Sequence, residues 1–296
     1  MEIIEIHFII NPIAGKGTTL PLSYIAQFFS EKEYKIIRKE SLYKKHASIL
    51  TQESVNEKAD IVVACGGDGT INEVASALLG SEIPLGILRL GSGNGLASNL
   101  NIPKKIEDAL ELLKKPKITR IDVGHLNHFH FFSNAGLGFD AMVIKNYESS
   151  KRRTLFGYLE ACLTSFRDIN QNQRLKVEIS NKKFELTPFM IFISNSNEMG
   201  YNFSLTPQAS LKDGLLDVLV ISKIGKLKML WLGILLLVNK PSLLKEAAFY
   251  RTKNLFISKN GSKEIDVQID GEVLKINQDR ISIGIDEHIL KVIVPK

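Results

Sequence analysis

Five short stretches hold the residues whose types and spacing can do chemistry. Gly66-Gly67-Asp68-Gly69-Thr70 sets a carboxylate in a glycine-rich segment, with Ile71-Asn72 next. Glycine lets a backbone come close to a phosphate, and N–H groups at a helix start attract anions. Asn11-Pro12-Ile13-Ala14-Gly15 and Gly91-Ser92-Gly93-Asn94-Gly95 are two further turns of similar composition. Lys16 can reach a phosphate, but Gly15-Lys16 is followed by Gly17, so this is not a Walker A loop. Asp270-Gly271-Glu272 flanks a glycine with two carboxylates. Such a turn can present a general base to a cleft, and it is equally the corner of a type I′ hairpin. Lys212-Asp213-Gly214 is either a plain turn or a carboxylate with neighbouring carbonyls able to hold Mg²⁺.

The elements around these stretches alternate between strand and helix in the first half. Ile3 to Ile10, Ile61 to Ala64 and Leu85 to Leu88 are apolar runs of buried-strand type, each ending at one of the glycine turns. Tyr34 to Arg38 is a fourth strand. Leu22, Ile25, Ala26 and Phe29 mark a helix, and Ser41 to Asn56 a loop and helix in which His46 is a surface or capping residue. A helix from Ile71 carries Ile71, Val74, Ala75, Leu78 and Leu79 on one face and stops at Gly80; another is marked by Ile106, Ala109, Leu110 and Leu113. If the sheet is parallel, the three turns share one edge, where open α/β sheets bind ligands.

Beyond Ile118 the period becomes two: Leu175-Val177-Ile179, Leu216-Val218-Val220, Ile265-Val267-Ile269 and Ile281-Ile283-Ile285. Helical interludes fall near Leu155 to Phe166 and Lys226 to Val238. The fold class expected is α/β: an N-terminal Rossmann-like three-layer domain followed by a C-terminal, mainly antiparallel β domain, a β-sandwich or flattened barrel, with a cleft between them expected to be the active site. Ser133 to Asp140 reads as a glycine-rich turn. His125, His128 and His130 flank a hairpin around Asn127 and lack a carboxylate or cysteine to complete a metal site.

The chain has 296 residues and a formal charge of +6, which favours anionic partners. No aromatic stripe runs between its basic residues, so nucleic acid is not expected. The two cysteines, Cys65 and Cys162, allow no disulfide framework and suit a reducing cytosol. No signal peptide is read at the N-terminus. The longest apolar run, Met229 to Val238, is too short to cross a bilayer. Lys226 to Lys240, with one Trp and lysines at both ends, can rest on a membrane or pack as a core helix.

Taken together, Gly66 to Glu73, Asn11-Pro12 with Gly15, Gly91 to Asn94, Asn134 to Ala141, Lys212 to Gly214 and Asp270 to Glu272 resemble the diacylglycerol kinase catalytic-domain family. That superfamily extends to sphingosine and ceramide kinases and, more distantly, to NAD kinase. The resemblance covers essentially the whole chain and is closest to stand-alone bacterial lipid kinases. It implies a NAD-kinase-like nucleotide domain over 1–124, rejoined by about 287–296, and a β-sandwich domain over 125–286 that carries lipid-acceptor and catalytic-base residues. It implies ATP contacts from Asn11, Pro12, Ile13, Ala14, Gly15, Ser41, Gly66, Gly67, Asp68, Gly69, Thr70, Ile71, Asn72 and Ser92. Asp68 would organise the catalytic Mg²⁺. Asp213, with carbonyls near Ser210 and Leu215, would hold a structural Mg²⁺. Asp270 or Glu272 would deprotonate the lipid hydroxyl. The implied protein is a cytoplasmic, peripherally membrane-associated enzyme without a transmembrane segment, with homodimerisation open. One departure concerns the acceptor. Gly91-Ser92-Gly93-Asn94-Gly95-Leu96-Ala97 replaces the Gly-Thr-x-Asn-Asp-Phe-Ala of many bacterial diacylglycerol kinases and is nearer the sphingosine kinase form. Diacylglycerol, a sphingoid base, ceramide and undecaprenol all remain open, as do a soluble acceptor such as NAD and a non-catalytic nucleotide-binding module.

Overall fold

The computed structural model describes residues 3–15, 20–91, 93–150, 155–169, 173–198, 204–237, 240–259 and 264–296. The chain divides into two compact units, Met1–Asp122 with Glu287–Lys296, and Val123–Asp286.

The first unit alternates strand and helix: β1 (Ile4–Ile10), α1 (Leu22–Ala26), β2 (Tyr34–Glu40), α2 (His46–Asn56), β3 (Ile61–Gly66), α3 (Asp68–Leu78), β4 (Leu85–Arg89), α4 (Gly95–Asn99) and α5 (Ile106–Lys114). Its strands pair in parallel in the order β2-β1-β3-β4. The chain's last strand returns to this sheet, with Val292 beside Leu85 of β4. β3 is buried along all six residues, which is why it reads as a continuous apolar run. α3 begins at Asp68, three residues earlier than the apolar pattern suggests, and buries Thr70, Ile71, Val74, Ala75 and Leu78. Leu79 lies at the C-cap, outside the buried face, and Gly80 follows at φ 80°. The polar first turn hides the true start from periodicity alone.

The second unit begins within β5 (Lys117–Leu126) and continues with β6 (Phe129–Phe131), β7 (Asn134–Gly138), α6 (Phe139–Ser149), α7 (Leu155–Asp168), β8 (Leu175–Ile179), β9 (Lys182–Leu186) and β10 (Pro188–Ser194). Then come β11 (Leu216–Ser222), α8 (Lys226–Leu237), a short 3₁₀ turn (Pro241–Leu243), β12 (Ala247–Thr252), β13 (Asn254–Lys259), β14 (Ile265–Ile269), β15 (Glu272–Ile276) and β16 (Arg280–Val294). β12-β11-β10-β7-β14-β15 form an antiparallel sheet. Its inner face, including Leu137, Ile191, Val218 and Val267, shares one buried cluster with Val177, Leu255, Ile257 and Ile283 of the opposing strands. Its outer face carries Met190, Phe192, Leu219 and Ile221, packed with Met229, Leu232 and Leu235 of α8 and with Phe139 and Phe166.

That helical cover changes two expectations. β10 is buried at every position, so it shows no alternation and escapes a period-two reading. Ser133 to Asp140 is not a turn: Asn134–Gly138 is a strand inside the six-stranded sheet, and α6 starts directly after it. Gly138, at φ 84°, makes the corner into α6, and Gly136 serves packing. A Cβ on Gly136 would lie 2.1 Å from Asp140 Oδ2.

Candidate active site

The parallel order 2-1-3-4 reverses between β1 and β3, which opens a crevice outside the carboxyl ends of those strands. Asn11 stands at that point. Its N–H donates to Cys65 O (3.0 Å), its Nδ2 donates to Thr70 Oγ1 (3.1 Å), and its Oδ1 accepts from Ile13 N (3.2 Å). Pro12 and Ala14 are half-buried in the same turn and the Ile13 side chain is exposed. Gly15, at φ 65°, lies against the backbone just after β4, where a Cβ would meet Leu90 O at 2.5 Å. A Cβ on Gly91 would similarly lie 2.5 Å from Gly67 Cα. The three turns therefore pack backbone against backbone, an approach only glycine permits. Ser41, at the end of β2, donates its N–H to Ile10 O at 2.8 Å and is buried on the same edge.

Asp68 ties the second turn to the third. Its Oδ2 accepts from Asn94 N (2.8 Å) and its Oδ1 from Gly95 N (2.7 Å). Each oxygen keeps a further lone pair for a metal-bound water. Gly66 and Gly67 precede Asp68 at the end of β3. Gly69 faces open space, and the first turn of α3 has no side-chain cap, so its N–H groups suit a phosphate. Asn72 follows on α3. Ile71 differs: its side chain is in the core, so only its backbone belongs to the edge. Ser92 and Lys16 lie outside the described residues. His46 accepts from Leu42 N (3.0 Å) and stacks on Tyr43, closing the loop before α2. Sequence reasoning gave no role to Glu73, whose carboxylate accepts from Lys45 N (2.8 Å) and Ala47 N (3.1 Å) and caps α2.

In the second unit Asp270 and Gly271 have φ of 47° and 85°, and Ile269 pairs with Glu272. This is a two-residue hairpin turn of the kind Asp-Gly favours. Asp270 is turned inward, accepting from Phe132 N (2.7 Å), Ser133 N (2.8 Å) and Asn134 N (2.9 Å). Glu272 is exposed at the start of β15, and Gly271 faces open space. Beneath the turn, buried Gln268 donates Nε2 to Asn134 Oδ1 and Asp140 Oδ2, both at 2.7 Å, while its Oε1 accepts from Gly271 N at 3.0 Å. Burial pushes the Asp140 carboxyl up to about 7, against the bond from Gln268. Gln268 gave no sequence signal. It sits at the polar position of an alternating strand, and only the helices over that sheet bury it.

The Ser210–Leu215 loop was expected to hold a cation. Here Asp213 bonds through Oδ2 to the Arg251 guanidinium, and its Oδ1 accepts from Leu215 N (3.1 Å). Ser210 Oγ accepts from Lys212 N at 3.3 Å. Asp217, whose carboxyl is raised by burial against the pull of Arg251, flanks the same guanidinium at 3.5 Å. Arg251 thus occupies one oxygen of Asp213 in this arrangement. Among the described residues no group of three or more His, Cys, Asp or Glu side chains is placed to hold a metal. His125 pairs with Asp286 (3.0 Å), and the β5–β6 hairpin turns at Asn127.

The chain thus joins a parallel sheet with a glycine-lined crevice edge to a helix-covered antiparallel sandwich with an acidic hairpin. Comparison with known proteins narrows the class. Residues 5–126 match the diacylglycerol kinase catalytic domain, and residues 133–293 the YegS C-terminal NAD kinase beta sandwich-like domain. A "Probable lipid kinase YegS-like" protein of Pectobacterium atrosepticum is 33% identical over 177 residues, 58% of this chain and 59% of that one. A diacylglycerol kinase of Bacillus subtilis is 26% identical over 89% of this chain and 88% of its own. A solved diacylglycerol kinase structure from Bacillus anthracis str. Sterne superposes with a TM-score of 0.72 at 18% identity, covering 100% of this chain and 98% of that one. The chain belongs to the diacylglycerol kinase catalytic-domain family, carrying the YegS-type second domain.

Proposed function

We propose that the protein is an ATP-dependent lipid kinase, transferring the γ-phosphate of ATP to the hydroxyl of a lipid such as diacylglycerol or a sphingoid base. The observation that carries this reading is the Asp68 tie between the second and third glycine turns at the crevice edge. The turn at Asn11 to Gly15, the segment Gly66 to Asn72, Ser41 and the turn holding Ser92 would contact ATP, with its phosphates at the N–H groups that open α3. When bound, Mg²⁺ offsets charge on the transferring phosphoryl group. Asp68 would hold waters of that ion through its remaining lone pairs.

Of the two carboxylates in the acidic hairpin, Glu272 is assigned as the base. Asp270 already accepts three backbone N–H groups and fixes the turn. Glu272 is exposed and can take a proton from an incoming hydroxyl. No helix among the described residues is long and apolar enough to cross a membrane. The enzyme is proposed to work in the cytoplasm and to meet its lipid peripherally. The test is incubation with γ-labelled ATP, Mg²⁺ and micellar diacylglycerol, with the lipid and aqueous phases separated. Label in the lipid phase supports the assignment. Label in NADP, with NAD supplied, would replace it with a soluble-acceptor kinase.

A further inference from the structure

α8 carries two apolar faces with different fates. Met229, Leu232 and Leu235 are buried against the outer face of the six-stranded sheet. Leu227, Leu230, Trp231 and Ile234 are 83%, 58%, 49% and 53% exposed. At about 100° per residue these four fall within an arc of about 100°, one continuous stripe on the solvent side. Lys226 and Lys228 flank the stripe on its two sides, and Leu243 of the adjoining 3₁₀ turn is also exposed. Lys223, Lys240 and Lys245 lie just outside the helix ends. The acid that approaches this group, Glu246, pairs with Lys228. α7 of the same unit has a comparable exposed row, Phe156, Leu159 and Leu163.

We infer that the outer stripe of α8 is a docking face for an anionic lipid bilayer. The inference rests on the lipid-kinase reading above and adds to it the surface that meets the membrane. Packing does not account for the stripe, since the opposite face already fills the core position of the helix. The charge around it selects the occupant. An apolar stripe flanked by Lys226 and Lys228, with Lys223 and Lys240 beyond the helix ends, matches an interfacial helix, whose side chains enter the headgroup boundary while the lysine stems lie along it and their ammonium groups meet anionic headgroups. A second copy of this chain is disfavoured, because a two-fold contact through α8 would bring the lysines around the stripe toward their own copies.

Trp231 is the only tryptophan in the chain, so its emission reports on this face without labelling. Vesicles of phosphatidylglycerol and phosphatidylcholine should shift that emission to the blue and carry the protein down on sedimentation; pure phosphatidylcholine should do so at least tenfold less effectively. Leu230→Glu with Ile234→Glu should lower vesicle binding more than tenfold, with far-UV circular dichroism and turnover on a monomeric short-chain acceptor unchanged. Lys223→Glu with Lys226→Glu should remove the preference for anionic vesicles. No shift and no co-sedimentation of wild type would overturn the inference while leaving phosphoryl transfer to micellar lipid standing. Vesicle binding without transfer to any lipid would fail the kinase reading and keep the docking face. A concentration-dependent Trp231 shift without vesicles, with a dimer mass in light scattering, would assign the stripe to a second copy instead.

Discussion

Replacing Asp140 with Asn should make the protein more stable at pH 8 and leave it little changed near pH 4. Asp140 is fully enclosed, and burial raises its carboxyl from 3.8 to about 7. Across that window the folded chain keeps a proton that the unfolded chain has lost. Its contribution to stability is therefore fully present below pH 4, falls as the pH rises toward 7, and is level above that. At 1.36 kcal/mol per pH unit the loss is roughly 4 kcal/mol. Asn presents a neutral oxygen to Gln268 Nε2 and avoids this loss, while its amide forfeits about 1 kcal/mol if it finds no acceptor. The net gain at pH 8 is then about 2–3 kcal/mol, or roughly 5–10 °C in Tm. The assay is thermal unfolding of wild type and Asp140→Asn from pH 4 to 8, read as the difference between them so that other titrating groups cancel. A difference that stays flat over this range, or that favours wild type more as pH rises, would refute the reasoning.

The two hairpin carboxylates should separate cleanly. Glu272→Gln should lose kcat by more than a hundredfold with unchanged Tm, whereas Asp270→Asn should cost about 1.5–3 kcal/mol of stability, because three N–H groups lose a charged acceptor. The reverse pattern would exchange their roles. Asp68→Ala should abolish turnover and also loosen the third turn, seen as faster amide exchange at Asn94 and Gly95; unchanged exchange would show that the tie is not what holds them. Gly91→Ala should weaken ATP binding at least tenfold by pushing the third turn off Gly67, with the second unit unaffected; wild-type affinity would mean the edge tolerates the added methyl.

What could be read from residue order follows from how much of each element depends on its neighbours. The glycine turns announce themselves because only glycine allows Gly15 and Gly91 to approach Leu90 and Gly67 so closely, and three parallel strands bring those turns to one edge. The Asp270-Gly271 corner is legible for the same local reason, its positive φ at two successive residues. β10 was hidden because a strand covered on both faces loses its alternation. Ser133 to Asp140 reads as a turn because its glycines have other tasks: Gly136 makes room for the buried Asp140, and Gly138, at φ 84°, carries the strand into α6. Gln268 and Arg251 were invisible for another reason: each acts across a long sequence separation, on Asp140 and on Asp213, and nothing local marks such a partner. The two faces of α8 divide an alternative that composition alone leaves whole.

The central claim is that a lipid hydroxyl receives phosphate from ATP with Glu272 as the base. The measurement that tests it most directly is initial-rate transfer from γ-labelled ATP to diacylglycerol, sphingosine, ceramide, undecaprenol and NAD, run with wild type and Glu272→Gln side by side. The account predicts label in one lipid, absent with the variant, and none in NADP. Label in NADP alone, or lipid label that survives Glu272→Gln undiminished, would contradict it.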